Sequence, residues 1–203
     1  MPNLQLLLQT ALRKSNLSLF QDGQILASLS TLLDHRSENT YVEDIRSMLE
    51  NNKLKAAMLD EVFLVHGPGF FTGIRSGTMI CKAFFQQIRA KFFLISSFDY
   101  LAQGIREKPC EYGILISSTK REGYYKKMTN NPEQNDAIMI EYSQMKTVST
   151  QLPVYTENKS LALEYSFHWI DVQPWLPDQF NEVNRLEDIA PNYVRSEEDL
   201  FQP

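Results

Sequence analysis

The residues of this sequence that could do chemistry cluster in segment 61–80, which reads EVFLVHGPGFFTGIRSGTMI. Four of the chain's eight glycines fall in it. Glycines let a backbone turn sharply and approach a ligand, and a helix N-terminus adds partial positive charge. One interpretation is therefore an anion or phosphate site. The residues of this glycine loop are Gly67, Gly69, Thr72, Gly73, Arg75 and Gly77.

The same glycines have a second interpretation, which is close packing. Gly73 and Gly77 are four residues apart and share one helix face, so they would let that helix lie tightly on a neighbour. No Gly-Lys-Ser/Thr closes the loop as in a P-loop, and the spacing is not that of a Rossmann fingerprint. Thr72 is the predicted N-cap of the helix. Residue types and spacing leave both interpretations open.

The other side chains that could act as metal ligands or nucleophiles do not form recognisable motifs. His35, His66 and His168 make no HxxxH or HExxH pair, so we expect no metal site. Cys81 and Cys110 form no CxxC motif, and no GxSxG elbow is present. Cys81 lies inside a predicted helix, where we expect it to be buried as a small hydrophobe.

The composition of the chain argues against several classes of function. The 203 residues are 43% hydrophobic, which is enough for one large domain or two lobes. The net charge of −5 is unusual for a free-standing nucleic-acid binder, so any RNA contact should be shared with a partner. Two cysteines fit a reduced cytoplasmic protein. The apolar N-terminal stretch is better explained by a core strand than by a signal peptide, and no membrane span is expected.

The elements that must position the loop begin with strand-like segments 4–8, 16–20 and 25–29. The Asp22-Gly23 turn signal predicts that these strands are antiparallel. A helix is predicted over 38–52, where apolar residues recur at helical spacing. The unbroken apolar run 62–65 predicts a strand covered on both faces.

The pattern after the glycine loop predicts further alternation of helices and strands. A helix over 73–89, a strand over 91–95 and a short helix capped by Ser96 or Ser97 follow in order. The charged, proline-containing segment 106–111 predicts a boundary between an N-terminal lobe, 1–106, and a C-terminal lobe, 107–203.

Beyond that boundary, 112–118 and 124–129 are predicted to form a hairpin. Segment 136–142 is predicted as a third strand, and a short helix is expected near 160–165. The rest of 143–190 shows no clear pattern. The order of elements predicts an α/β fold with mixed sheets flanked by helices.

The helix over 73–89 is apolar on nearly all sides, which predicts that it is covered from more than one direction. Besides the sheet, the element that packs on this helix could be the 38–52 helix of the same lobe or a partner protein. The residues predicted for partner docking are Tyr41, Val42, Ile45, Met48, Met79, Ile80, Ala83 and Phe84.

The loop sequence 67–75, GPGFFTGIR, closely resembles the GPGSFTGxR signature of the TsaB (YeaZ) family. Gln9-Thr10-Ala11 and Gln21-Asp22-Gly23 line up with that family's opening motifs, and His35 stands where the family has a histidine. Segments 97–104 (SFDYLAQG) and 191–195 (PNYVR) also resemble family motifs. The resemblance is strong over 61–104 and weak over about 130–190.

This resemblance implies a two-lobed actin-like/Hsp70-like ATPase (ASKHA) fold with a reduced second lobe. It implies a scaffold that activates a TsaD-like paralogue in a heterodimer, with TsaE and tRNA in the wider complex. The product would be threonylcarbamoyladenosine next to the tRNA anticodon. The helices over 38–52 and 73–89 would form the joint with TsaD, and this chain would need no cofactor.

Two departures from the family pattern matter for chemistry. The opening acid of the family is Gln9 here, and its Asp-Ala-Arg appears as Ser118-Thr119-Lys120. A neutral amide cannot supply the hard carboxylate that Mg²⁺ prefers. We therefore expect a non-catalytic subunit. The alternatives are a small-molecule kinase or nucleotide-hydrolysing enzyme of the same superfamily, and a self-associating homodimer.

Overall fold

A computed structural model describes residues 2–32, 40–129, 136–176 and 180–194 of the protein. Within these ranges the strands form two mixed sheets, of six and five strands, flanked by α-helices. This confirms the predicted α/β class with mixed sheets. Among the described residues, no helix combines the length and the apolar character needed to cross a membrane.

The first sheet comes mainly from the N-terminal half of the chain. Its strands, in spatial order, are β11 (Asn181–Val183), β5 (Lys91–Ile95), β4 (Glu61–Val65), β1 (Leu4–Gln9), β2 (Lys14–Gln21) and β3 (Gln24–Leu32). The pairs β1–β2 and β2–β3 are antiparallel, as predicted, whereas β1–β4 and β4–β5 are parallel. β11 closes one edge antiparallel to β5.

Three helices follow strands of this sheet: α1 (Tyr41–Asn51), α2 (Phe71–Gln87) and α3 (Ser97–Ala102). The helix predicted over 38–52 is confirmed from Tyr41 onward, whereas residues 38 and 39, like His35, lie outside the described ranges. Ser96 is the N-cap of α3, and its hydroxyl accepts a hydrogen bond from the Asp99 N–H at 3.1 Å.

The predicted cap of α2 is wrong. Phe70 occupies the N-cap position, and Thr72 lies inside the first turn. The Phe70 N–H donates to the Ala11 carbonyl at 2.8 Å, which ties the residue to the β1–β2 turn in an extended conformation. The helix can therefore start at the next residue, two positions before the predicted start at Gly73.

Alternate residues of the central strand β1 enter two different cores. Leu6 and Leu8 pack with α1 and α2 on one face of the sheet. Leu7 packs on the opposite face, in a core shared with α3 and the second sheet. Burial on both faces explains the unbroken apolar run of β4. The helices α1 and α2 consequently lie on the face turned away from the second sheet.

The second sheet has the spatial order β10 (His168–Trp169), β9 (Val154–Thr156), β6 (Glu111–Ser117), β7 (Glu122–Thr129) and β8 (Ile138–Glu141). The predicted hairpin is confirmed as β6 and β7. The predicted strand over 136–142 is shorter, because Tyr142 begins α4 (Tyr142–Ser149). The predicted short helix is α5 (Lys159–Tyr165). The sequence did not reveal α4, β9, β10 or β11.

The two sheets lie on either side of the predicted boundary at 106, except that β11 returns to the first sheet. The segment that follows β11 also returns. Asn192 donates its N–H to the His66 carbonyl at 2.8 Å, beside the glycine loop. The division into lobes 1–106 and 107–203 stays a prediction.

Candidate functional site

The glycine loop is enclosed by three other segments of the chain. The Gly67 carbonyl accepts hydrogen bonds from the Ser97 N–H at 2.7 Å and from Asn192 Nδ2 at 3.5 Å. On the other side, the Phe70 N–H bonds Ala11. Gly67, Pro68 and Gly69 are all buried, and the peptide bond between Gly67 and Pro68 is cis.

These close contacts require glycine, because a Cβ at these positions would collide with the neighbouring atoms. A Cβ at Gly69 would lie 2.0 Å from the Ala11 carbonyl oxygen, and one at Gly77 would lie 2.3 Å from Thr10 Oγ1. Thr10 Oγ1 in turn donates to the Gly73 carbonyl at 2.7 Å. These distances support the close-packing interpretation of the loop: the glycines let α2 rest directly on the β1–β2 turn.

Position 9, where the resembling family has an acid, has a structural role in this chain. Gln9 is fully buried at the end of β1. Its Nε2 donates to the Lys14 carbonyl at 2.7 Å, and its Oε1 accepts from the Leu12 N–H at 3.1 Å. The amide thus closes the β1–β2 turn from within. An ionised carboxylate could not make the donated bond.

Positions 118–120, the second departure from the family, form the tight turn between β6 and β7. The Ser118 and Thr119 N–H groups both donate to the Glu122 carbonyl, at 3.3 and 3.0 Å. Thr119 Oγ1 accepts from the backbone N–H groups of Arg121 and Glu122. The turn therefore presents no acidic side chain at the three positions themselves.

A cavity of about 310 Å³ separates the β1–β2 turn from the N-terminus of α5. Arg13, Lys14 and Lys159 line it. Lys14 Nζ lies 3.6 Å from an Asp171 carboxylate oxygen, and Lys159 Nζ lies 5.1 Å from the centroid of the Trp169 ring. The cavity joins residues that are distant in sequence, and no local motif marked it.

Glu157 is the buried acid of this cavity. Its Oε1 accepts from the Ser117 N–H at 3.0 Å and from Ser117 Oγ at 2.5 Å. Burial raises the pKa of this carboxyl group, and the bonds from Ser117 oppose that rise without cancelling it. No sequence motif marks Glu157; a lone acid between apolar Val154 and Leu161 is the signal that could have identified it.

The residues predicted for partner docking fall into two groups. Tyr41, Ile45 and Met48 of α1 are buried in the lobe's own core. The others remain accessible, and we call them the outer face. Its members are Val42, Met79 and Ala83, which are exposed, and Ile80 and Phe84, which are half-buried. Met79 has 69% of its surface exposed.

The opposite side of α2 is anchored in the core. Ile74 and Cys81 are buried, and burial raises the pKa of the Cys81 thiol to about 12. Cys81 is thus a packing residue, as predicted. The structure of the lobe alone therefore leaves one apolar side of α2 in solvent, although Ile80 and Phe84 partly contact the core.

The remaining predicted residues are spread over the molecule. Thr72 and Arg75 are exposed on α2, and the Arg75 guanidinium lies 5.2 Å from the centroid of the Phe71 ring. His66 Nδ1 lies 3.1 Å from the Ala190 carbonyl oxygen, and burial lowers the pKa of its ring. His168 is exposed and stacks on Tyr155. Among the described residues, no three His, Cys, Asp or Glu side chains form a metal-binding group.

The geometry defines an α/β protein of two mixed sheets, with a tightly packed glycine loop and an apolar helix face. Comparisons with known proteins are consistent with this description. A family model described as TsaD, tRNA N6-adenosine threonylcarbamoyltransferase, matches residues 34–177. Because the match spans well over half of the sequence, the chain belongs to the TsaD family.

Two solved structures share the fold. YeaZ from Pseudomonas aeruginosa is 14% identical, with a TM-score of 0.66 over 95% of this chain and 100% of that one. A structure from the same organism, described as an uncharacterized protein similar to peptidase YEAZ, is 15% identical, with a TM-score of 0.67 over the same shares. At these identities the likeness shows the fold alone, and that fold agrees with the predicted α/β class with mixed sheets. No curated protein sequence matches the chain.

Close packing of the loop predicts that Gly69→Ala destabilises the protein. The new methyl group would meet the Ala11 carbonyl oxygen, which belongs to the backbone and cannot turn aside. We expect the free energy of unfolding to fall by about 3 kcal/mol in urea denaturation, since overpacking of a buried site has costs of this order. Gly23→Ala is the control, because nothing lies within 4 Å of its Cβ and only its positive φ of 79° adds strain, about 1–2 kcal/mol. An unchanged stability for Gly69→Ala would contradict the packing.

Burial of Glu157 predicts a pH dependence of stability. Its pKa is raised above the ordinary value of 4.5, so the folded state binds its proton more tightly than the unfolded state. The stabilisation that the tighter proton binding of Glu157 contributes is fully present below pH 4.5. It is lost as the pH rises through the raised pKa. Relative to Glu157→Gln, the unfolding free energy of the wild type should therefore fall as pH rises above 4.5. The exposed Glu164→Gln is the control; the same trend in both variants would rule the explanation out.

Proposed function

We propose that this chain is a non-catalytic, TsaB-like scaffold subunit in cytoplasmic tRNA modification. It binds a TsaD-family partner as a heterodimer and activates that partner for threonylcarbamoyl transfer to the adenosine next to the tRNA anticodon. The observation that carries the proposal is the outer face, with exposed Met79 and Ala83 on a firmly anchored helix, in a chain of the TsaD family.

The outer face suits a protein partner for a physical reason. Isolated surface apolar residues are common, but here they line successive turns of one helix, at positions 79, 80, 83 and 84. The glycine contacts with Thr10 and Ala11 fix that helix on the sheet. A rigid apolar helix face loses little conformational entropy when a partner helix covers it.

The absence of catalysis by this chain is supported by what its residues do at the family's acidic positions. Gln9 uses both ends of its amide to hold a turn, and Ser118 to Lys120 form a hairpin turn. Neither segment supplies a carboxylate that could hold a metal-bound nucleotide. The threonylcarbamoyl chemistry would then belong to the partner.

The charge of the chain supports a shared role in RNA binding. Net −5 gives no electrostatic advantage for phosphate contacts by this subunit alone. In the proposed complex, tRNA is held mainly by the partner, and TsaE joins the assembly as a further component. An isolated chain could cover its outer face by forming a homodimer.

The alternative function is a small-molecule kinase or nucleotide-hydrolysing enzyme. The cavity between the β1–β2 turn and α5 favours it, because Arg13, Lys14 and Lys159 could meet phosphates. An enzyme of that kind should bind a nucleotide with magnesium. Our proposal predicts that isothermal calorimetry with ATP, with and without Mg²⁺, detects weak or no binding to the isolated chain. A clear magnesium-dependent affinity would overturn the scaffold proposal.

The outer face predicts that Ala83→Glu prevents formation of the heterodimer. A glutamate placed there would be buried against apolar partner atoms without a counter-charge, so we expect the complex to be lost when both proteins are co-expressed and co-purified. Leu163→Glu is the matched control, because Leu163 is also exposed, at 77%, but lies on α5 in the other half of the molecule. A complex that survives Ala83→Glu would place the joint elsewhere.

A further inference from the structure

A groove of about 320 Å³ lies beside the outer face, between α2 and the segment 191–193. Arg75, Thr78, Met79 and Lys82 line it from α2, and Pro191 and Tyr193 line it from the other side. The α2 residues recur at helical spacing, so all four project toward one side of the helix. The groove is therefore continuous with the outer face through Met79, which belongs to both.

Two cations, Arg75 and Lys82, line this groove. Within the described ranges, neither Arg75 nor Lys82 takes part in an ion pair, and the Arg75 guanidinium lies over the Phe71 ring, 5.2 Å from its centroid. Arg75 is exposed and Lys82 is half-buried. Like charges two helical turns apart on one groove create a local positive potential.

The third polar group is Thr78, which lies between the two cations along the helix. Thr78 is only 5% exposed, yet its Oγ1 has no hydrogen-bond partner among the described residues. A threonine within a helix commonly bonds the carbonyl four residues earlier, and this one does not. A buried hydroxyl without a partner is costly, and Thr78 lines the groove, so a hydrogen-bond acceptor that reached this hydroxyl would remove that cost.

We propose that the groove receives a carboxylate side chain of the partner, presented by the segment that covers the outer face. A carboxylate has oxygens enough to accept from both cations and from the Thr78 hydroxyl, and such charge-assisted bonds are stronger than neutral ones. The carbon stem of that Asp or Glu would pack between Met79 and Tyr193. This inference rests on the proposed function and adds the chemistry that sets the partner's position along α2.

A carboxylate fits better than an RNA phosphate. Phosphate recognition normally uses a basic stripe that follows the backbone over several nucleotides. This groove offers two cations beside apolar Met79 and Pro191, on a chain of net charge −5. The site is small, isolated and half apolar, as expected for a single acidic side chain on a protein surface.

The direct test is carbodiimide cross-linking of the complex with the TsaD of the same cell, followed by peptide mass spectrometry. The reagent joins an amine to a carboxylate as an amide, with loss of water, only when the two already touch. We expect a peptide that links Lys82 to an Asp or Glu of the partner. Links from Lys82 only to carboxylates of its own chain, or none, would overturn the inference.

Binding measurements with variants supply an independent readout. We expect Arg75→Ala and Thr78→Val each to weaken the heterodimer about tenfold at low salt, in keeping with the loss of a charge-assisted contact. Thr78→Val should do so without lowering the stability of the isolated chain, which a purely structural role would not produce. Arg106→Ala, at an exposed cation outside the groove, should bind like the wild type.

The possible outcomes distinguish a failure of the carboxylate site from a failure of the proposed scaffold function. If Ala83→Glu abolishes the complex but Arg75→Ala and Thr78→Val bind normally, the scaffold function stands and the carboxylate site is wrong. If no heterodimer forms with the wild type, both are wrong. If Arg75→Ala leaves the heterodimer intact but weakens tRNA binding by the complex, the groove is a phosphate site and the inference fails.

Discussion

The close approach of α2 to the β1–β2 turn is the constraint on which the rest of this structure depends. Gly69 and Gly77 lie so near Ala11 and Thr10 that neither could carry a Cβ without displacing its neighbour. This contact fixes the start of α2 at Phe71 and the rotation of the helix on the sheet. That rotation buries Cys81 and turns Met79 to solvent. A glycine loop of the kind that could bind phosphate thus serves here to pack a helix closely against the sheet.

The same turn is closed from within by a neutral side chain at the end of β1. Gln9 holds the turn through one donated and one accepted hydrogen bond. The amide stabilises the geometry that α2 needs, because Ala11 and Thr10 belong to the turn it closes. An amide can make both bonds, whereas an ionised carboxylate could not make the donated one.

Much of the fold follows from local sequence signals. Alternation and the Asp22-Gly23 turn gave the antiparallel strands, and the apolar run 62–65 gave a strand buried on both faces. The start of α2 did not follow, because a tertiary bond from Phe70 to Ala11 outweighs the capping preference of Thr72. β9, β10 and β11 are only two or three residues long, too short for periodicity to identify.

The candidate site was predictable only in part, for a similar reason. Helical spacing identified α1 and α2 as apolar, but it could not tell which apolar residues face the lobe's own core. Tyr41, Ile45 and Met48 are buried there, and the outer face is correspondingly smaller than the predicted set. The groove at Thr78 and Tyr193 depends on a segment that returns from more than a hundred residues away, which no local pattern reveals.

The central claim is that this chain acts through its TsaD-family partner in tRNA modification. The most direct measurement is the threonylcarbamoyladenosine content of tRNA, by nucleoside mass spectrometry, in cells depleted of this chain. The account predicts that the modification is lost, and that re-expression of the wild type restores it while Ala83→Glu does not. Unchanged modification in depleted cells would contradict the account.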